Sequence, residues 1–168
     1  LRIVVDGYNV ARWPGLVRPE ERRDLEAQRT ALLERLAAYR RARGHAITVV
    51  FDGRDAPPGL AREASHRGVA VRYSRGGETA DQVIARQARE AGPGLVVVTS
   101  DRELARAVEH VGATAISAEA FAAKLEAAEL AAQKGGEDDE AGRPRPERGS
   151  PRRPDKAGRR RRAALDRL

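Results

Sequence analysis

Four aspartates stand where short apolar runs end or where the following helix should begin. Asp6 closes the run in VVDGYNV, Asp52 closes VVFDG, Asp101 follows VVTS, and Asp81 lies in ETADQVI. Carboxylates gathered at one spot repel each other, and keeping several ionised together calls for a compensating cation. Hard oxygen donors suit Mg²⁺ or Mn²⁺, which commonly keep several waters and take one or two protein carboxylates each. The chemistry that such a cluster supports is metal-assisted attack of water on a phosphodiester. It needs neither histidine nor cysteine. The chain has no cysteine, and His45, His66 and His110 have no metal-ligand spacing. No Walker loop is present and no GxGxxG follows the first apolar run, so nucleotide cofactor binding has little support.

The elements that would have to carry these acids can be read from the pattern. Val- and Ile-rich runs at residues 2–5, 46–51, 69–73, 95–99 and 113–116 are short and continuous rather than alternating. That is the signature of a parallel sheet covered on both faces. Helical patterns fill the intervals at 21–43, 78–91, 101–111 and 118–133, with a weaker one at 60–65. Gly44 stops the first, and Ser100 with Glu103 has the spacing of a capping box. The alternation predicts an α/β fold, a three-layer α/β/α sandwich around a central parallel sheet. With the five strands in the order 3-2-1-4-5, taken from fold precedent, the crevice opens between Asp6 and Asp101. Asp52 and Asp81 then fall on the same rim. Taken singly, each acid has a plain structural role. Asp6–Gly7 and Asp52–Gly53 are turn dipeptides, while Asp81 and Asp101 sit where a helix N-terminus favours negative charge. Their company on one rim is what favours chemistry. Tyr8 and Trp13 beside Asp6 could stack on a base, although an aromatic pair in a loop is more often packing.

The 168-residue chain carries 32 Lys and Arg against 25 Asp and Glu, a net charge of +7. The split is uneven. Residues 134–168 hold 12 basic and 7 acidic side chains, so +5 of the +7 belongs to this Pro-, Gly- and Arg-rich tail, which contains the run Arg159–Arg162. Too polar to bury much surface, the tail is expected to be disordered, leaving residues 1–133 as the folded domain. A basic cluster of this kind attracts a polyanion, nucleic acid above all. No run reaches the length of a membrane span and no signal peptide is visible, so a cytoplasmic location is expected.

In this order and spacing VVDGYNV, VVFDG, YSRGGETADQVI and VVTSDREL resemble the NYN domain of the YacP-like family, within the PIN-like nuclease group. The resemblance spans residues 1–133. It implies a metal-dependent endoribonuclease with Asp6, Asp81 and Asp101 as acidic site residues, Asn9 supporting them by hydrogen bonding, and Asp52 as a further acid of related nucleases. It also implies messenger RNA as substrate and the ribosome as a partner. Arg72, Arg75 and the tail arginines would hold phosphates. The competing expectation is a non-catalytic RNA- or ribosome-binding protein on a nuclease-derived fold, with the tail supplying affinity. A phosphatase or a DNA-directed nuclease is a third, weaker one.

Overall fold

The structure, a computed structural model, describes residues 1–56, 59, 61–134 and 156–168. Its centre is a six-stranded sheet built from β1 (Arg2–Asp6), β2 (Ala46–Phe51), β3 (Glu63–His66), β4 (Val69–Tyr73), β5 (Leu95–Val98) and β6 (Thr114–Ile116). The strand order is β3-β4-β2-β1-β5-β6. All neighbours run parallel except β3, which pairs antiparallel with β4. The five strands expected from sequence are present, in the expected order. The sheet is nevertheless mixed.

The sixth strand replaces part of the weak helix expected at 60–65. Residues 63–66 are extended and turn back into β4 through Arg67 and Gly68, both at positive φ (48° and 86°). That backbone pair makes a tight hairpin, with which a helix at 63–65 is incompatible. β3 is short and charged, as suits an exposed sheet edge. His66 and Arg67 both approach Glu34, at 2.8 and 3.1 Å, and fasten the hairpin to the neighbouring helix.

Helices cover both faces. α1 (Gly7–Ala11) follows β1 directly, and α2 (Leu25–Arg43) follows a 3₁₀ turn at Glu21–Arg23. Asp24 accepts from the amides of Glu26 and Ala27 at 3.1 and 3.0 Å, which starts α2 there rather than at residue 21. α3 (Ala80–Ala91) and α4 (Arg102–His110) lie on the opposite face from α2 and α5 (Ala118–Lys134). Alternation along β1 makes the division visible. Ile3 and Val5 join Leu32, Leu36, Phe121 and Leu125 in one core, whereas Val4 joins Ile84, Leu104 and Val108 in the other. Both faces of the sheet are therefore dry. This explains why its strands read as unbroken apolar runs.

Disorder was the expectation for residues 134–168, and it does not extend to their last part. Lys156–Asp166 forms a helix, α6, lying against β6. Ala164 and Leu168 are buried in the α2–α5 core, and the Tyr39 hydroxyl donates to the Leu168 carbonyl. Arg160 donates to the Gly112 carbonyl at 3.0 Å, and Arg161 pairs with Glu109. A few apolar residues at the right spacing, with arginines fixed at either side, are enough to dock this segment. The rest of that stretch, 135–155, lies outside the described residues.

Candidate active site

Asp6, Asp52, Asp81 and Asp101 line one cleft, together with Asn9 and Thr79. Each arrives from a different segment, at the edge of the sheet where the strands end. Asp6 is the last residue of β1 and Asp52 follows β2 immediately. Asp81 lies in the first turn of α3, and Asp101 follows β5 as the N-cap of α4.

The two Asp–Gly pairs owe their glycines to close approach. A Cβ on Gly7 would lie 2.3 Å from the Phe51 ring, and one on Gly53 would lie 2.0 Å from the Ser74 carbonyl. Neither glycine takes a positive φ. What the pairs do is let the turns after β1 and β2 press against neighbouring backbone, and that holds both acids at the rim.

Asp6 is the buried member, 7 % exposed. Burial, with the negative charges of Asp81 and Asp101 added to it, raises its carboxyl from 3.8 to about 6. The Thr99 hydroxyl, donating to Asp6 Oδ2 at 2.9 Å, and the Asn9 backbone amide work in the opposite direction. Asp81 is exposed, yet its carboxyl is also raised, by partial desolvation and then by Asp101, Asp52 and Glu103. These acids feel one another. Arg12 and Arg54 line the same cleft, and Arg54 stands 3.5 Å from Asp52.

Asn9 reaches across to the far side of the cleft. Its Oδ1 accepts from the Ser100 amide at 2.8 Å, so it braces the loop that carries Asp101 rather than the Asp6 carboxylate. Asp101 caps α4 through Oδ1 alone, accepting from Glu103 and Leu104 at 2.8 and 2.9 Å. The cap therefore falls one residue later than the Ser100–Glu103 box read from sequence. Ser100 instead accepts from Ala118 and joins the start of α5 to this loop. Thr99 is the site residue that the sequence reading missed. It is 2 % exposed, and while it donates to Asp6, its Oγ1 also accepts from the Asp101 amide at 3.1 Å. A threonine between a buried strand and an aspartate, as in TSD, was the available signal.

Of the three expected RNA contacts, only Tyr8 lines the acidic cleft. Tyr8 is 6 % exposed, packs on Phe51, and its hydroxyl accepts from Arg29 at 2.7 Å, so its ring is a core group and offers no stacking platform. Arg72 and Arg75 are outside the acidic cleft. They line a neighbouring groove with Arg62 and Arg86, on the other side of the α3 N-terminal turn.

Among the described residues no three His, Cys, Asp or Glu side chains stand together as a ready metal-ligand set. The donors are nonetheless of the right kind for a hydrated divalent ion, which needs only one or two direct carboxylates. Burial has already raised Asp6, and a cation beside it would relieve the charge that its ionised form carries.

A family model described as the YacP-like NYN domain matches residues 3–157. This chain belongs to the YacP-like NYN domain family. The match to the NYN domain continues past residue 133 and stops just inside α6. A relative in Bacillus subtilis (strain 168), an uncharacterized protein YacP, is 32 % identical over 88 residues, covering 52 % of this chain and 51 % of that protein. The chain thus spans about half the length of the curated relative it matches. Two crystal structures of Rae1 (YacP) from Bacillus subtilis are also similar. One matches with a TM-score of 0.67 at 27 % identity, over 81 % of this chain and 79 % of that one. The other, of a point mutant of the same protein, matches with a TM-score of 0.66 at 27 % identity, over 79 % of each chain. The NYN fold is nuclease-like, and the acidic cleft lies at the strand-end edge of its sheet. Among the described residues no helix is long and apolar enough to cross a membrane.

Proposed function

We propose that the protein is a metal-dependent endoribonuclease whose active site is the cleft of Asp6, Asp52, Asp81 and Asp101. The observation that carries this reading is that four acids from four separate segments line one cleft, with the buried Asp6 carboxyl raised to about 6. Asp6, Asp81 and Asp101 would hold Mg²⁺ or Mn²⁺, with Asp52 as a further ligand. The bound ion would supply activation of water and neutralisation of charge developing on the phosphate. Thr99 orients the Asp6 carboxylate, and Asn9 fixes the Ser100–Asp101 loop against α1. Arg12 and Arg54, on the wall of the cleft, are positioned to attract an RNA phosphate towards it. Messenger RNA on the ribosome, in the cytoplasm, belongs to this reading through the family resemblance.

The test is cleavage of matched RNA and DNA substrates with and without Mg²⁺ or Mn²⁺. Asp6→Asn and Asp81→Asn should each lower RNA cleavage by roughly 100-fold or more, a loss of about 2.7 kcal/mol in transition-state stabilisation, with the fold retained. Equal cleavage by both variants would refute the site. A second reading, an RNA-binding protein without catalysis, draws on the absence of a ready three-ligand set among the described residues. It requires RNA binding that survives metal removal, with no cleavage at any metal concentration.

A further inference from the structure

Beside the acidic cleft lies a second cavity of about 450 Å³, bounded by the Trp13 loop, the starts of α4 and α5, and α6. Asp101 lies on the wall of both, so the cavity opens next to the site at which a phosphodiester would be cut. Its volume is within the usual range for small-ligand pockets. Trp13, Ala105 and Leu165 make its lining largely apolar. The half-buried Trp13 is the chain's single tryptophan. Asp101 and Glu119 in the wall disfavour a phosphate inside, whereas Arg102 and Arg161 supply positive charge at the same cavity. Arg102 has no ion-pair partner among the described residues, and Arg161 is held in position by Glu109. Two acids balanced by two arginines leave no net charge to draw a phosphate in, and an apolar, aromatic-walled recess adjoining a phosphodiester site suits a nucleobase lifted out of its stack.

We propose that this cavity receives one unstacked base of the RNA strand next to the scissile phosphate, with Trp13 as its stacking surface. The proposal rests on the nuclease reading above and deepens it. α6, which brings Arg161 and Leu165, is almost wholly beyond the span matched by the family model, so the recess is completed by a segment outside that match.

Because Trp13 is the only tryptophan, its emission reports the recess directly. The experiment titrates the full chain, in EDTA, with a short labelled single-stranded RNA, following tryptophan emission and RNA polarisation together. A series of RNAs carrying one abasic residue at successive positions is titrated in the same way, and cleavage of each is measured with Mg²⁺. Intact RNA should change Trp13 emission, and one abasic position beside the cleavage site should abolish that change and weaken binding roughly 5- to 150-fold. Ala105→Phe, which fills the recess without touching the acids, should erase the difference between intact and abasic RNA. RNA that binds or is cut with Trp13 emission unchanged, or a flat abasic series, would overturn the proposal and leave the nuclease reading intact. So would an Ala105→Phe protein that melts like wild type and still discriminates. Absence of both RNA binding and cleavage, with or without metal, would overturn both together.

Discussion

Asp6 holds a carboxyl whose ionisation is opposed by burial and by two nearby acids. In metal-free protein the folded state keeps its proton up to about pH 6, while the unfolded chain loses it near 3.8. Between those values the folded state binds more protons, so stability falls as pH rises through the window and stays lower above it. The interval corresponds to about 3 kcal/mol at most. Asp6→Asn should therefore raise the melting temperature at pH 8 in EDTA and have little effect at pH 4. Mg²⁺ should stabilise wild type at pH 8 and leave Asp6→Asn nearly unmoved, which thermal scans with and without metal will read. Thr99 belongs to the same argument with the opposite sign. Its hydroxyl holds the Asp6 carboxyl down, and its Oγ1 satisfies the Asp101 amide. Thr99→Val keeps the shape and removes both bonds, leaving a partly buried donor unpaired at about 1–3 kcal/mol. Cleavage should fall about tenfold or more, roughly the rate equivalent of 1.4 kcal/mol, with the acid limb of its pH profile moved to higher pH.

Elements decide which parts of this site could be read from sequence. The strands that carry Asp6, Asp52 and Asp101 were legible because burial on both faces forces continuous Val and Ile runs, a strong local signal. Asp81 was legible because the helical pattern at 78–91 puts it in the first turn, and the structure closes that end with a Thr79–Gln82 capping box. Tyr8 lines the cleft as well, but its burial depends on Phe51 and Arg29, distant in the chain and invisible to any local pattern. β3 was missed because its pairing is set by a turn with Arg67, an ordinary residue, at positive φ. α6 was missed for a different reason. Averaged over residues 134–168 the composition is polar, and that average hides Ala164, Leu165 and Leu168 at its end. Leu168 is 2 % exposed and ties α6 to Tyr39 on α2. Leu168→Ala should lower stability by about 2–4 kcal/mol in urea unfolding, and Tyr39→Phe by about 1 kcal/mol. If α6 were merely an appendage, neither change would move the midpoint by a measurable amount.

At the scale of the whole molecule, the acidic cleft lies beside a groove in which arginines outnumber acids. The cleft gathers Asp6, Asp52, Asp81 and Asp101, whereas the neighbouring groove gathers Arg62, Arg72, Arg75 and Arg86 beyond the α3 N-terminal turn. A polyanion threading an acidic cleft needs cations on its flank, and this groove supplies them next to the site. Its four arginines are not equivalent. Arg72 is paired with Glu63 at 3.4 Å and Arg86 with Glu78, while Arg62 and Arg75 are exposed and have no ion-pair partner among the described residues. On the nuclease reading, RNA would recruit the uncommitted pair first, because the other two must break an existing ion pair to take a phosphate. Each phosphate neutralised on a single strand steepens the dependence of log K on log salt by about 0.7. Arg62→Gln with Arg75→Gln should therefore flatten that slope by about 1.4, measured by RNA binding over a salt series. Arg72→Gln with Arg86→Gln should change it less, because arginines already paired with Glu63 and Glu78 neutralise fewer phosphates to begin with. Cleavage at saturating RNA should be nearly the same in both double variants, since neither touches the acids. An unchanged slope for the first pair would move the RNA path off this groove and onto the α6 side, where Arg159 and Arg162 are exposed.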